Sequence, residues 1–299
     1  MQHFTYLFIL FLSLQGHSQT INKQMTDSRQ RVQLIGKIDK QGLQLPPFNS
    51  WFDKELATYH PDPETLSELR KRLPEYELTL FMGTWCGDSK REVPRIYRIL
   101  EEAGYDQDKL DVIAVSGERE TYKQSPGGQQ KGLNIHRVPT LIVSKNGREV
   151  GRFVERPVHS IEADLLAILE EEYTSSYNGV EEFNNWVEAM NVLPASFPVD
   201  MIPKEIRDNI TSVYQLGTYS AVAHYAGEAS KAMFAAKANC LLFPKEAYAF
   251  LGLALRHRGS GDHDSAKKAL ERALLLDPEN KQALKLFKEW DSESAGSGF

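Results

Sequence analysis

The sequence predicts an α/β domain built on a mixed central sheet, followed by an all-α helical-repeat domain. Three observations carry this. Residues 76–115 run strand, helix, strand, and Asn146-Gly147 downstream is a hairpin signal. A repeat spaced by 34 residues pairs Tyr214 with Tyr248, Ala232 with Ala266, Leu241 with Leu275 and Pro244 with Pro278, a period suited to a two-helix solenoid unit. Between the two parts lie the polar run Thr174 to Gly179 and the prolines at 194, 198 and 203, which mark a boundary.

The length of 299 residues suggests about two domains, and 41% hydrophobic residues suffice for ordinary cores. A net charge of −6 without clustered Lys and Arg argues against nucleic-acid binding. Arg70-Lys71-Arg72 is flanked by Glu64, Glu68 and Glu75 and reads as a solvated helix face. The first eighteen residues hold no Asp, Glu, Lys or Arg and carry an apolar run from Phe4 to Leu14. That run is short of the roughly 20 residues a spanning helix needs and suits a signal peptide. Gly16 and Ser18 fit cleavage before Gln19, although an n-region without a basic residue leaves an uncleaved membrane anchor open. A periplasmic or secreted protein is therefore expected, with only Cys86 and Cys240 as cysteines.

Element by element, residues 19–31 read as a flexible arm and Val32 to Ile38 as a short strand. Phe48 to Tyr59 and Pro63 to Leu73 read as helices, the second capped by Asp62. Tyr76 to Met82 has the length and composition of a buried central strand, after which a helical pattern runs from Asp88 to Gly104. Leu110 to Val115 is a second buried strand, parallel to the first through a right-handed crossover. Thr140 to Ser144 and Arg148 to Val154 form the hairpin, and His159 to Glu172 an amphipathic helix. The α/β domain is expected over 32–175, a linker over 176–204, helical repeats over 205–290 with Lys281 to Trp290 as a cap, and a disordered tail over 291–299.

Cys86 thus sits where a strand gives way to a helix. Free N–H groups and the positive end of the helix dipole there favour the thiolate, the nucleophilic form. Lys90 and Arg91 add to this and Asp88 opposes it. The run LTLFMGTWCGDSKREVPRIYRIL, with Trp85 before the cysteine and Pro94 in the helix, resembles the active-site strand and helix of the thioredoxin family. Val138-Pro139-Thr140 is similar to that family's cis-proline segment. The resemblance covers residues 76–172 and implies a thioredoxin-like fold. It further implies thiol–disulfide exchange at Cys86, and substrate contacts from Trp85, Gly87, Val138, Pro139 and Thr140.

Two positions depart from that family. Ser89 stands where the second cysteine would be, which removes an intramolecular disulfide, while its hydroxyl is placed to hydrogen-bond the thiolate. Leu80 stands where a buried acid would assist proton transfer. Cys86 is then expected to form mixed disulfides with a protein client or small thiol, resolved by an external thiol. His136, three residues before Pro139, is a candidate for the missing proton transfer, against the plainer alternative of a part-exposed loop histidine. Cys240 reads as a small buried apolar residue.

The repeats resemble tetratricopeptide units, with Leu251-Gly252 on the first helix of the second copy and Ala266, Leu270 and Ala273 on the second. A peptide or protein partner on them, with the α/β domain as a scaffold, is the alternative function, and a plain helical bundle the alternative architecture. The histidines at 60, 136, 159, 224, 257 and 263 are scattered, so neither a metal nor a cofactor is expected.

Overall fold

The computed structural model of the protein describes residues 20–296. The expected signal peptide, residues 1–18, lies outside the described residues.

Strands β1 (Gln24–Thr26) and β2 (Val32–Leu34) pair antiparallel, so the expected flexible arm holds a strand. The stretch expected as one strand from Val32 to Ile38 is divided, and its second part, β3 (Gly36–Ile38), belongs to a different sheet. Gly36 has φ +82°, a conformation open to glycine, and this lets the chain turn from one sheet into the other.

Four helices precede and follow the next strand: α1 (Lys40–Leu43), α2 (Asn49–Thr58), α3 (Pro63–Arg72) and α4 (Gly87–Glu102). Asp62 caps α3 by accepting from Thr65 N at 2.8 Å, as expected from its place before Pro63. The remaining strands are β4 (Glu77–Met82), β5 (Leu110–Ala114), β6 (Thr140–Lys145) and β7 (Arg148–Val154), followed by α5 (Ile161–Leu169). They form a five-stranded sheet in the order β3-β5-β4-β6-β7. Only β4 and β5 are parallel, with Leu80 opposite Val112, which agrees with the expected crossover through α4. Asn146 and Gly147 both have positive φ, as a tight two-residue hairpin between β6 and β7 requires.

Side chains alternate across β4 and therefore serve two cores. Leu78, Leu80 and Met82 pack with α2, α4 and α5, while Phe81 faces a smaller cluster of Ile113, Val115, Ile135, Val138 and Ile142. Trp85 and Cys86 lie against this second cluster.

The helical part contains α6 (Asn178–Glu188), α7 (Lys204–Asn209), α8 (Val213–Tyr225), α9 (Ala229–Leu242), α10 (Ala247–Gly259), α11 (His263–Leu276) and α12 (Lys281–Gly296). Helices α8 and α9 begin 34 residues before α10 and α11 respectively, which is the period seen in the sequence. Buried alanines, among them Ala235, Ala238, Ala254, Ala269 and Ala273, allow close helix approach.

Two boundaries differ from expectation. Residues 176–204 are packed structure: Val180, Phe183 and Val187 of α6 line one buried face, and Phe197 stacks on Phe234 at 4.3 Å. The apolar spacing of α6 overrides the loop signal of the polar run before it and the prolines after it. Helix α12 also continues through residue 296, because its Ser, Glu and Ala residues extend a helix already anchored by Ala283, Phe287 and Trp290. Replacing Phe183 by Ala is expected to cost about 3–5 kcal/mol, measured as a fall in urea stability; a linker residue would change it by less than about 0.5 kcal/mol.

Candidate functional site

Strand β4 ends at Met82, and a turn closed by Cys86 N–H donating to Gly83 O at 2.9 Å delivers Cys86 to the N-cap of α4. The cap position has extended backbone and makes no side-chain capping bond, so the first-turn amides of α4 stay available beside the sulfur. Cys86 is half-buried, and its Sγ donates to Val138 O at 3.3 Å. The Val138-Pro139 bond is cis. Pro139 O accepts from Glu155 N at 2.7 Å and Thr140 Oγ1 donates to Arg137 O at 2.8 Å, which pins this loop to the end of β7. Cys86, Val138, Pro139 and Thr140 are thus brought together.

Trp85 is held rather than free. Its Nε1 donates to Val115 O at 2.9 Å, and its ring lies 5.7 Å from that of Tyr122. The indole occupies a slot between two glycines that the sequence analysis did not single out. A Cβ on Gly83 would sit 2.6 Å from Cε2, and one on Gly117 2.7 Å from Cγ. Both glycines follow sheet strands that end at the same edge of the sheet, and that is the one trace they leave in the sequence. Gly87 is the opposite case, exposed with nothing within 4 Å of a Cβ, so the surface beside Cys86 is open.

Ser89 and His136 take other roles than expected. Ser89 is fully buried, and its Oγ accepts from Gly83 N at 3.2 Å, so its bond supports the turn rather than the Cys86 sulfur. His136 is 2% exposed; its Nδ1 pairs with Asn134 O at 3.1 Å and, since a carbonyl only accepts, must carry the proton. Burial pushes its pKa down to about 3, which keeps the ring neutral. It lines a cavity of about 350 Å³ shared with Asn184 on α6 and Tyr219 on α8, not the Cys86 surface. Leu80 is fully buried and offers no acid, as its apolar strand position implies.

Asp88 is compensated by two arginines, Arg91 at 3.0 Å and Arg156 at 2.9 Å, so Arg91 serves the carboxylate and not the sulfur. Cys240 on α9 is also a free thiol, and burial pushes its pKa up to about 12.

The helical part adjoins the loops around Cys86. Arg137 donates to Tyr214 O at 2.9 Å and to Glu155 Oε1 at 3.0 Å, and lies over the Tyr177 ring. Arg119 donates to Tyr225 OH at 2.8 Å. Tyr214 on α8 and Tyr248 on α10 form an exposed ring pair 4.7 Å apart on the first helix of each repeat. Among the described residues no group of three or more His, Cys, Asp or Glu could hold a metal, and no helix is long and apolar enough to cross a membrane.

No family model and no curated protein matches the chain. Solved structures similar to part of it include a protein of unknown function from Pseudomonas aeruginosa, 17% identical, covering 43% of this chain and 75% of that one at a TM-score of 0.29. An HIV epitope-scaffold is 18% identical and covers 42% and 73% at a TM-score of 0.26. Scores this low carry no argument about fold or activity.

Because the Trp85 slot has no room for a methyl group, Gly117→Ala should expel the indole at a cost of about 1–3 kcal/mol. Loss of hydrogen-exchange protection at the Trp85 indole N–H would register it, and an unchanged signal would contradict the slot.

Proposed function

We propose that residues 32–175 form a thioredoxin-like domain and that the protein performs single-cysteine thiol–disulfide exchange through Cys86 outside the cytoplasm. The observation that carries this is the position of Cys86, a half-buried sulfur at the N-cap of α4, 3.3 Å from Val138 O and beside open surface at Gly87. The sheet order β3-β5-β4-β6-β7, with its single parallel pair, supports the thioredoxin-like assignment. Export rests on residues 1–18 alone.

In the proposed reaction the Cys86 thiolate attacks one sulfur of a client or small-molecule disulfide R–S–S–R′. The R–S–S–R′ bond breaks, Cys86–S–S–R forms, and R′S⁻ leaves and takes a proton. Ser89 has no thiol with which to resolve the adduct, and the half-buried Cys240 thiol resists ionisation. An external thiol therefore attacks the mixed disulfide and restores Cys86.

The exposed Tyr214 and Tyr248 pair favours a second reading, in which the repeats hold a protein partner and the α/β domain is a scaffold. One experiment separates the two. Mass spectrometry of protein purified from its own compartment should find mixed disulfides on Cys86 that vanish in Cys86→Ala. A wild-type Cys86 that forms no adduct and alkylates no faster than a peptide cysteine overturns the exchange reading, and partner capture that survives Cys86→Ala but not Tyr214→Ala with Tyr248→Ala would support the adaptor.

A further inference from the structure

Lys123 has no part in the exchange reaction as written, yet its setting is unusual for a lysine. It lies in the loop between β5 and β6 with φ 58°, and is 3% exposed. Its Nζ donates to His136 O at 2.6 Å and sits 4.8 Å from the Tyr122 ring centroid. An ammonium carries three N–H donors, but no carboxylate pairs with this one among the described residues. Glu155, the acid in its surroundings, is engaged by Arg137 and by the Tyr177 hydroxyl. A buried ammonium without a counter-ion is costly, and the neutral amine is favoured.

The segment that holds Lys123 also holds Cys86. His136 O accepts from Lys123 and Val138 O, two residues on, accepts from Cys86. Tyr122 joins them from the other side, since its ring packs on Trp85, the neighbour of Cys86. The charged and titratable groups around Lys123 act in opposite directions. Arg137 disfavours its proton; a Cys86 thiolate and Glu155 favour it; His136 is neutral and Tyr122 keeps its proton, with its pKa up at about 12.

We propose that Lys123 is the proton partner of Cys86, its amine gaining a proton as the Cys86 thiol loses one and its ammonium then stabilising the thiolate. This rests on the exchange reaction proposed above. It gives Lys123 the proton exchange for which Leu80 has no group. Cys86–SH and neutral Nζ give thiolate and ammonium; attack on R–S–S–R′ forms Cys86–S–S–R and expels R′S⁻. R′S⁻ takes its proton from solvent to give R′SH, and Lys123, no longer facing a thiolate, releases its own and returns to the neutral amine.

Burial brings the lysine down from 10.5 to about 7, so the ammonium and its attraction for the thiolate are present below that midpoint and fade above it. Lys123 acts through Cys86 as a positioning residue for charge, and a pH profile is the readout that a merely structural role would not move. The rate of Cys86 alkylation by iodoacetamide, followed by peptide mass spectrometry across pH 5–10, should be roughly tenfold lower at pH 7 in Lys123→Met. A Lys123→Met profile that overlays a reactive wild type overturns the coupling and leaves the exchange reading intact. An unreactive wild-type Cys86 overturns both. A second measurement needs no apolar substitution: in ¹³C-lysine-labelled wild-type protein, the Lys123 Cε signal, assigned with Lys123→Arg, should titrate near neutrality and move to lower pH once Cys86 is alkylated. A midpoint near 10.5, or one indifferent to alkylation, overturns the proposal.

Discussion

Strand β4 is the constraint on which the rest of the α/β domain depends. It is hydrogen-bonded on both edges, parallel to β5 and antiparallel to β6, and buried on both faces. A strand so enclosed can leave the sheet only at its end, and the chain does so through Gly83, Thr84 and Trp85. Each of these three is fixed by an independent contact. Gly83 has its N–H on Ser89 Oγ, Thr84 Oγ1 accepts from Leu34 N at 3.1 Å, and Trp85 is slotted between two glycines. Cys86 therefore begins α4 at one defined place, against a carbonyl from the loop that precedes β6. The position of the Cys86 sulfur is thus set in advance by the packing of its neighbours.

The same loop ties the two halves of the molecule together. Arg137 bridges Glu155 at the end of β7 to Tyr214 O at the start of α8, and Tyr177 adds its ring to Arg137 and its hydroxyl to Glu155. The first helix of each repeat is thereby held next to the Cys86 face. Helix α6, in the stretch expected as a linker, is packed into the helical core. An engaged interface of this kind gives the tyrosine pair on α8 and α10 a fixed relation to the cysteine.

Charge is distributed unevenly around the site. On the surface, Asp88 is matched by Arg91 and Arg156. Inside, Lys123 and His136 are two buried basic groups without a carboxylate partner among the described residues, and burial drives both towards the neutral form. A thiolate at Cys86 is the one negative charge the mechanism would add here, and the low dielectric of the compartment strengthens its attraction for a protonated lysine.

The sequence alone determined the parts of this protein that depend on local pattern. The buried strand expected over 76–82, the helix expected from Asp88, the Asn146-Gly147 hairpin, the Asp62 cap and the 34-residue repeat all follow from hydrophobic period, backbone preference or spacing, and each was legible to within a residue. Only the tertiary structure decided what depends on distant partners. It assigned α6 to the core through Phe234 and Tyr219, and it split residues 32–38 between two sheets. It turned Ser89 towards Gly83 and moved His136 to the helical side. It also buried Lys123, a residue whose type predicts exposure, beneath the loop that carries Pro139. A lysine's burial is fixed by what closes over it, and the carbonyl that receives this one belongs to His136, 13 positions further along the chain.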